Sequence, residues 1–566
     1  MHFCQEIFQT RELFEQLKIH CDGKAFQHEE ESAKNRKFWN ISRAALNGHL
    51  NILVWLHKQK GRLPQTAQLI DKAANGGHLD CIKWLQEHQA EGCSQDAMDV
   101  AAANGHFETV KWLNENRQEG CSTDAMDGAA AFGCLKILEW LHNNRPEGCT
   151  KEAITGAAKN GFLNVVEWLH NNYSVSSYAP AIKVAAQNGH LSVVEWLYMN
   201  IFSGKGASEL VKSDRVIFGS SEDKKFGLPS WALDEAAANG HLKVLEWLCT
   251  HTDKRCSSGA IDGASRNGHL AVVEFLTRNP TKAKRPTQLA MDAAAENGHL
   301  HVVEWLHNNR GEGCTKGAMN GAAKNGHLDV LEWLHFYREE GCDQEGMYEA
   351  AKNGHLRVIE WLHQHTDVNI TPTTLDIAAR NGFLGIVEWL HFNREEGGTT
   401  GAIDNAAEGG YLNVMEWLHR NREDGCTSRA MDVAAGKGFL GVVEWLDFNR
   451  SEGCTHRAMY HAARNGHFKM VEWLHHHRSE GSKLGIMDGV ARNGHIEILE
   501  WLFATRREEC TPHSMLYAIH NGHVEVLEWL HETQPQTVLE KSFATKIAVE
   551  HKQHGVIRWI SENLIL

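Results

Sequence analysis

The feature that limits this chain most is a tryptophan that returns every 28 residues. Trp305, Trp333, Trp361, Trp389, Trp417, Trp445, Trp473, Trp501 and Trp529 keep that step, and Trp84, Trp112, Trp140, Trp168 and Trp196 keep it upstream. A fixed period in this range means a stack of like units, because one unit of that size cannot bury its apolar face without a neighbour. A chain of 566 residues would otherwise divide into several globular domains. Stacking lets the core grow lengthwise instead.

The stretch Cys314–Gly341 represents the unit. Thr315 stands where a side-chain oxygen caps the first free N–H groups of a helix. Ala318, Met319, Ala322 and Ala323 then predict a short first helix with a small-residue face. Asn325-Gly326 ends it, since glycine accepts the left-handed conformation of a tight C-terminal turn. His327 and Leu328 open a second helix. At 100° per residue Leu328, Val330, Leu331 and Leu334 share one face, with Trp333 at its edge. Arg338 to Gly341 connect to the next unit. No useful length alternates with a strand's period of two, so the unit reads helix–turn–helix–loop.

These residues resemble a known family. Ala322-Ala323-Lys324-Asn325-Gly326-His327-Leu328 is similar to the core of the ankyrin repeat, and Thr371-Pro372 and Thr511-Pro512 keep that family's Thr-Pro helix opening. The period is shorter than the family's usual length of about 33 residues, which implies that the β-hairpin finger is trimmed to a tight loop. A Trp also replaces the usual Leu late in the second helix. The resemblance runs from about residue 38 to the C-terminus. It implies an all-α, ankyrin-type solenoid of about 18 stacked repeats with trimmed hairpin loops.

Within that frame, residues 1–37 do not fit the repeat and are expected to form an N-terminal helical cap. The alternative is a docking helix of degenerate F-box type, although the Leu-Pro opening of that motif is absent. A first block of repeats runs over 38–198. Trp196 to Trp247 is longer than one period, and the surplus falls at 199–229, where Gly204-Lys205-Gly206 and Ser220-Ser221-Glu222-Asp223-Lys224-Lys225 have the composition of an inserted loop. It holds no phosphate-binding GxxxxGK[ST] loop. The second block, 230–566, has Phe275 in a Trp slot and two extra residues near Asn279-Pro280. It ends in a degenerate C-terminal cap in which His554 to Ile560 keep only a second-helix skeleton.

Composition narrows function. No run approaches the 18 apolar residues of a membrane span, and Met1 to Glu6 open no secretory signal. A net charge of −15 argues against a nucleic-acid partner, which needs clustered Lys and Arg. Cys93, Cys121, Cys149, Cys314, Cys342, Cys426 and Cys454 occupy one column. Stacked helices stand roughly 8–10 Å apart, too far for a disulfide, so free thiols and a cytoplasmic or nuclear setting are expected.

The 37 histidines suggest a metal. Most fall in two columns, after Gly (His327) and after Trp-Leu (His335), eight residues and roughly 12 Å apart. One zinc ion with bonds of about 2.0–2.1 Å cannot bridge them. No metal, cofactor or small-molecule substrate is therefore expected. The first column is expected to bond backbone at the inter-helix turn and the second to edge the core. In His475-His476-His477 successive side chains point 100° apart, which disfavours a shared ion.

Asp99, Asp127, Asp234, Asp262, Asp292, Asp376, Asp404, Asp432 and Asp488 form another column. Each is expected either to accept a loop N–H or to pair with a loop Arg such as Arg117, Arg310 or Arg422. No catalytic constellation stands outside the columns. Tyr348, Tyr460 and Tyr517 replace Asp and are candidate partner-binding aromatics. Lys324, Lys352, Arg380, Arg464 and Arg492, after the Ala-Ala pair, are candidate rim residues. The Trp column is expected to wedge between second helices, with Trp333→Ala costing about 3–5 kcal/mol. The function expected is a non-enzymatic scaffold binding a partner protein along a concave face. The alternative is a substrate adaptor that recruits a ubiquitin ligase or another enzyme through 1–37 or 199–229.

Overall fold

The computed structural model describes residues 41–60, 68–88, 92–174, 178–202, 230–393, 398–481 and 485–564. Every named element among them is helical, and one isolated parallel bridge, Cys256 to Ala283, joins neighbouring loops. That bridge lies where the connection carries its two extra residues. The expected cap or docking segment at 1–37, and residues 203–229 of the insertion expected at 199–229, lie outside the described residues. The chain divides into two units, Met1–Ala290 and Met291–Leu566, each a helical solenoid of stacked helix pairs.

In the second unit the representative repeat folds as its residues dictate. Thr315 Oγ1 accepts from Gly317 N–H (2.9 Å) and starts the helix Lys316–Asn325. The helix closes on Gly326 at φ 79°, with His327 N–H donating to Ala322 O (2.9 Å). A Cβ at Gly326 would also lie 2.5 Å from the ring of His355 in the next repeat. Glycine is thus required by backbone and by space. The second helix, Leu328–Tyr337, ends at extended Arg338, whose N–H donates to Leu334 O (2.8 Å).

Ala318, Met319, Ala322 and Ala323 are buried against Val330, Leu331 and Leu334. First helices of adjacent repeats approach almost backbone to backbone. A Cβ at Gly321 would sit 2.8 Å from Glu296 Cβ, and in the first unit one at Gly128 would sit 2.6 Å from Ala103 Cβ. The small-residue column is what permits this. Second helices, spaced by Val, Leu and Trp, stand further apart.

The Trp column does not wedge into the core as expected. Trp333 is half-buried, and its ring meets the preceding His307 edge to face (5.1 Å, 86°). His391–Trp417 (5.2 Å) and, in the first unit, His142–Trp168 (5.5 Å) repeat the contact. A residue at the rim of the apolar face covers the flank of its neighbour rather than its interior. Trp361 and Trp559 are the buried ones.

At Tyr198–Phe202 the chain makes a π-turn and enters the insertion. The helices Ala179–Gln187 and Ser230–Ala238 on its two sides stack directly. Lys183 pairs with Glu235 (3.3 Å), and Tyr198 Oη–H donates to His251 O (2.6 Å). The last repeat retains both helices, Lys541–Glu550 and His554–Asn563, which corrects the expectation of a second-helix skeleton alone. Lys541–Glu550 lacks the paired alanines that mark the other first helices in the sequence.

Candidate interaction surface

Three hydrogen-bonded columns join neighbouring repeats and decide which polar groups are spent on the stack. The first uses the aspartates. Thr315 N–H and Oγ1–H donate to Asp292 Oδ1 and Oδ2 (both 2.7 Å) while Thr315 caps its own helix. The same fork joins Asp404 to Thr427, Asp432 to Thr455 and Asp488 to Thr511, and in the first unit Asp99 to Ser122 and Asp234 to Ser257. Asp71, not singled out in the sequence, does likewise with Ser94. Of the two expected roles, accepting a loop N–H is observed and pairing with a loop Arg is not. At one step the chemistry is exchanged: Asn320 Nδ2 donates to Asp343 Oδ1 (2.7 Å), and Asp343 N–H donates to Asn320 Oδ1 (3.2 Å). Burial pushes the Asp99, Asp127 and Asp376 carboxyls above their ordinary value, against the opposing pull of these bonds.

The second column is Asn-Gly-His. His106 Nε2–H donates to Asn75 O (3.1 Å) and His523 Nε2–H to Arg492 O (3.1 Å), each the carbonyl of a preceding first helix. Asn325 and Asn493 Nδ2 reach the equivalent carbonyls of Glu296 (2.7 Å) and Arg464 (2.6 Å). These are the orphan acceptors of a helix C-terminus. His241 makes the bond to Gln187 O (2.9 Å) across the insertion, and Gln553 substitutes for His at the last step (His520 O, 3.1 Å).

The third column runs through the loops. Arg338 pairs with Glu340, reaches back to His307 Nδ1 (3.5 Å), and lies over Gly313 of the preceding loop. Arg450 does the same with Glu452, His419 and Gly425. Arg117 and Arg310 likewise pair with Glu119 and Glu312, and Arg422 with Asp424. Cys93, Cys121, Cys314, Cys426 and Cys454 lie beneath such guanidinium groups as thiols outside any disulfide, and burial raises Cys121 to about 11 and Cys314 to about 12.

The histidines are thus structural in both columns. His475 turns to Trp501 (5.2 Å) whereas His477 stacks back on Trp473 (4.5 Å). No group of three His, Cys, Asp or Glu among the described residues is placed to hold a metal ion.

The candidate binding residues lie along the ends of the first helices. Tyr348, Tyr460 and Tyr517 are half-buried. Lys324, Lys352, Arg380 and Arg492 are exposed and Arg464 is half-buried. Several are paired: Lys324 to Glu296 (3.2 Å) and Arg380 to Glu408 (2.6 Å), which also holds Arg429 (2.7 Å), between repeats, and Lys352 to Glu349 (2.8 Å) within its own helix. Arg492 lies over the Tyr517 ring (5.3 Å). Sequence reasoning missed Phe336, Phe392 and Phe448, which stand 72%, 73% and 89% exposed on alternate second helices. Their position three after Trp was the available signal.

Family models described as ankyrin repeats match the chain, one over residues 41–127 and 319–400 and another over 291–335. No curated protein matches it. Among solved structures it is similar to the pentatricopeptide repeat protein PPR10 from maize (10% identity, 93% of this chain and 94% of that one, TM-score 0.23). It is also similar to PPR10 in complex with an 18-nt psaJ RNA element (8% identity, 92% and 88%, TM-score 0.31). The expectation that net charge argues against nucleic acid does not stand, and one of these neighbours is itself an RNA complex. A sum of −15 runs over every face of the chain and describes none of them. TM-scores this low carry no ligand from that protein to this one. No helix among the described residues is long and apolar enough to cross a membrane.

Proposed function

The chain is an ankyrin-repeat protein, and from that premise we propose that it is a non-enzymatic scaffold binding a partner protein along the face built by its first helices. One contrast supports the reading. The three columns use near-identical residues at step after step, whereas the ends of the first helices change from Lys324 and Lys352 to Arg380, Glu408 and Arg492. Within each unit the first helices are the more tightly spaced set, which supports an inner position for this variable row. Tyr348, Tyr460 and Tyr517 add aromatic area beside it, the kind that anchors interfaces.

The test is site-specific photocrosslinking in the native cell. A benzophenone amino acid is placed at Tyr348, Tyr460 or Tyr517, with Phe448 on a second helix as the control. Protein adducts from the first-helix positions and none from Phe448 support the proposal. Adducts from Phe448 alone, or adducts that nuclease rather than protease removes, overturn it.

A further inference from the structure

Among the described residues of the second unit the loop column has an open seat after Arg338. At other steps a guanidinium fills it: Arg450 lies 2.8 Å from where a Gly425 Cβ would be, with His419 Nδ1 at 3.5 Å, and Arg338 lies 2.6 Å from the Gly313 position. Arg478 and Arg506 take the same place, the first on Asp447 (2.9 Å) and the second on His475 Nδ1 (3.3 Å). At the step after Arg338 the residue is Thr366, whose hydroxyl turns inward and donates to Leu362 O (2.6 Å). Nothing lies within 4 Å of a Gly341 Cβ position. A cleft of about 560 Å³ opens there between the loops 338–344 and 365–369, with Met319 at its base.

The walls of this cleft suit a cation. Glu339, Asp343 and Asp367 line it, and its one Arg, Arg338, is already committed to Glu340 and His307. His335 stands where His307, His391 and His419 each receive an Arg, and Trp361 holds it edge-on (5.2 Å, 88°). Trp361 in turn stacks on His365 (4.6 Å, 14°), a second lining residue, so the aromatic wall is braced from behind. A planar guanidinium satisfies such a site by donating in several directions and stacking on a ring, which an ammonium does not match.

We propose that this cleft binds an arginine side chain of a partner peptide, its guanidinium taking the seat that a loop arginine fills elsewhere. The proposal rests on the scaffold reading above and adds the chemistry that one position along it selects. The volume exceeds that of a lone guanidinium and leaves room for flanking backbone.

The experiment is calorimetric titration of the full chain with acetyl-Ala-Arg-Ala-amide, with its lysine and citrulline counterparts, and with free arginine. Arginine peptide binding at least about tenfold tighter than the other three is expected. Equal binding of the lysine peptide overturns guanidinium selection, and equal binding of free arginine overturns a peptide as the source. The double substitution Thr366→Arg with Val368→Glu copies the Arg-x-Glu of the other loops and should abolish binding while raising the melting temperature. Peptide binding that survives in this variant overturns the proposal. Should the variant not fold, Glu339→Gln with Asp367→Asn must weaken binding about tenfold, and unchanged binding overturns the proposal equally. Loss of arginine binding with crosslinks from Tyr460 intact defeats this inference alone. Crosslinks absent while arginine binds defeat the first-helix reading alone.

Discussion

Asp432 offers the sharpest test of how the repeats are joined. The residue is 7% exposed, and its carboxylate accepts from Thr455 N–H (2.7 Å) and Thr455 Oγ1–H (2.6 Å), while Thr455 caps the helix His456–Arg464 through Arg457 N–H (3.2 Å). Two hydrogen bonds to a charged acceptor contribute about 1.5 kcal/mol each at the low end. Removing the carboxylate also relieves its burial cost, so Asp432→Ala should lose about 2 kcal/mol. Asp432→Asn keeps one acceptor and should lose about 1 kcal/mol. The pairing of Asn320 with Asp343 shows what a working exchange looks like. Asp432→Asn combined with Thr455→Asp should therefore recover about 1 kcal/mol relative to the sum of the single changes. Urea titration measures the total. Native-state hydrogen exchange at the Arg457 amide localises the effect, because a stacked array need not unfold in one step. A double variant no more stable than additivity allows would refute the idea that this fork is what fastens one repeat to the next.

Other expectations follow from the same geometry. Trp333→Ala should cost about 2 kcal/mol, less than a core Trp, because the ring is half-buried; an unchanged urea midpoint would contradict its packing on His307. Gly326→Ala should cost about 2–3 kcal/mol, from left-handed strain plus displacement of the His355 ring. Gly341→Ala, at φ 70° with open space around it, should cost about 1 kcal/mol from strain alone. Equal losses in thermal melts would remove the argument for the open seat. Carbon-detected carboxyl titration should place Asp99 above the ordinary aspartate value, where burial pushes it, and Glu340 below the ordinary glutamate value, where Arg338 holds it. The signs oppose. The Asp99 contribution is fully present below its unfolded pKa of about 3.9 and is lost as pH rises through the raised folded value. The Glu340 contribution is present above its unfolded pKa of about 4.3 and is lost as pH falls through the lowered folded value.

Much of this architecture was legible in the residues themselves, because helix signals are local. Thr315, the Ala322-Ala323 pair, Gly326 and the Val330, Leu331, Leu334 face lie within one repeat, and each acts on atoms a turn or two away. The 28-residue step likewise required only counting. What tertiary structure decided was the pairing between repeats. That Asp432 bonds Thr455 rather than a loop Arg, that Arg338 turns to Glu340 and His307, and that Trp333 covers a flank instead of filling a core all depend on the rise and rotation from one repeat to the next. A period states how often a residue returns and says nothing about that rise or rotation. The vacancy at Thr366 is the same lesson at one position: a single shorter side chain leaves a cleft only because the stack had already shaped a seat for a longer one.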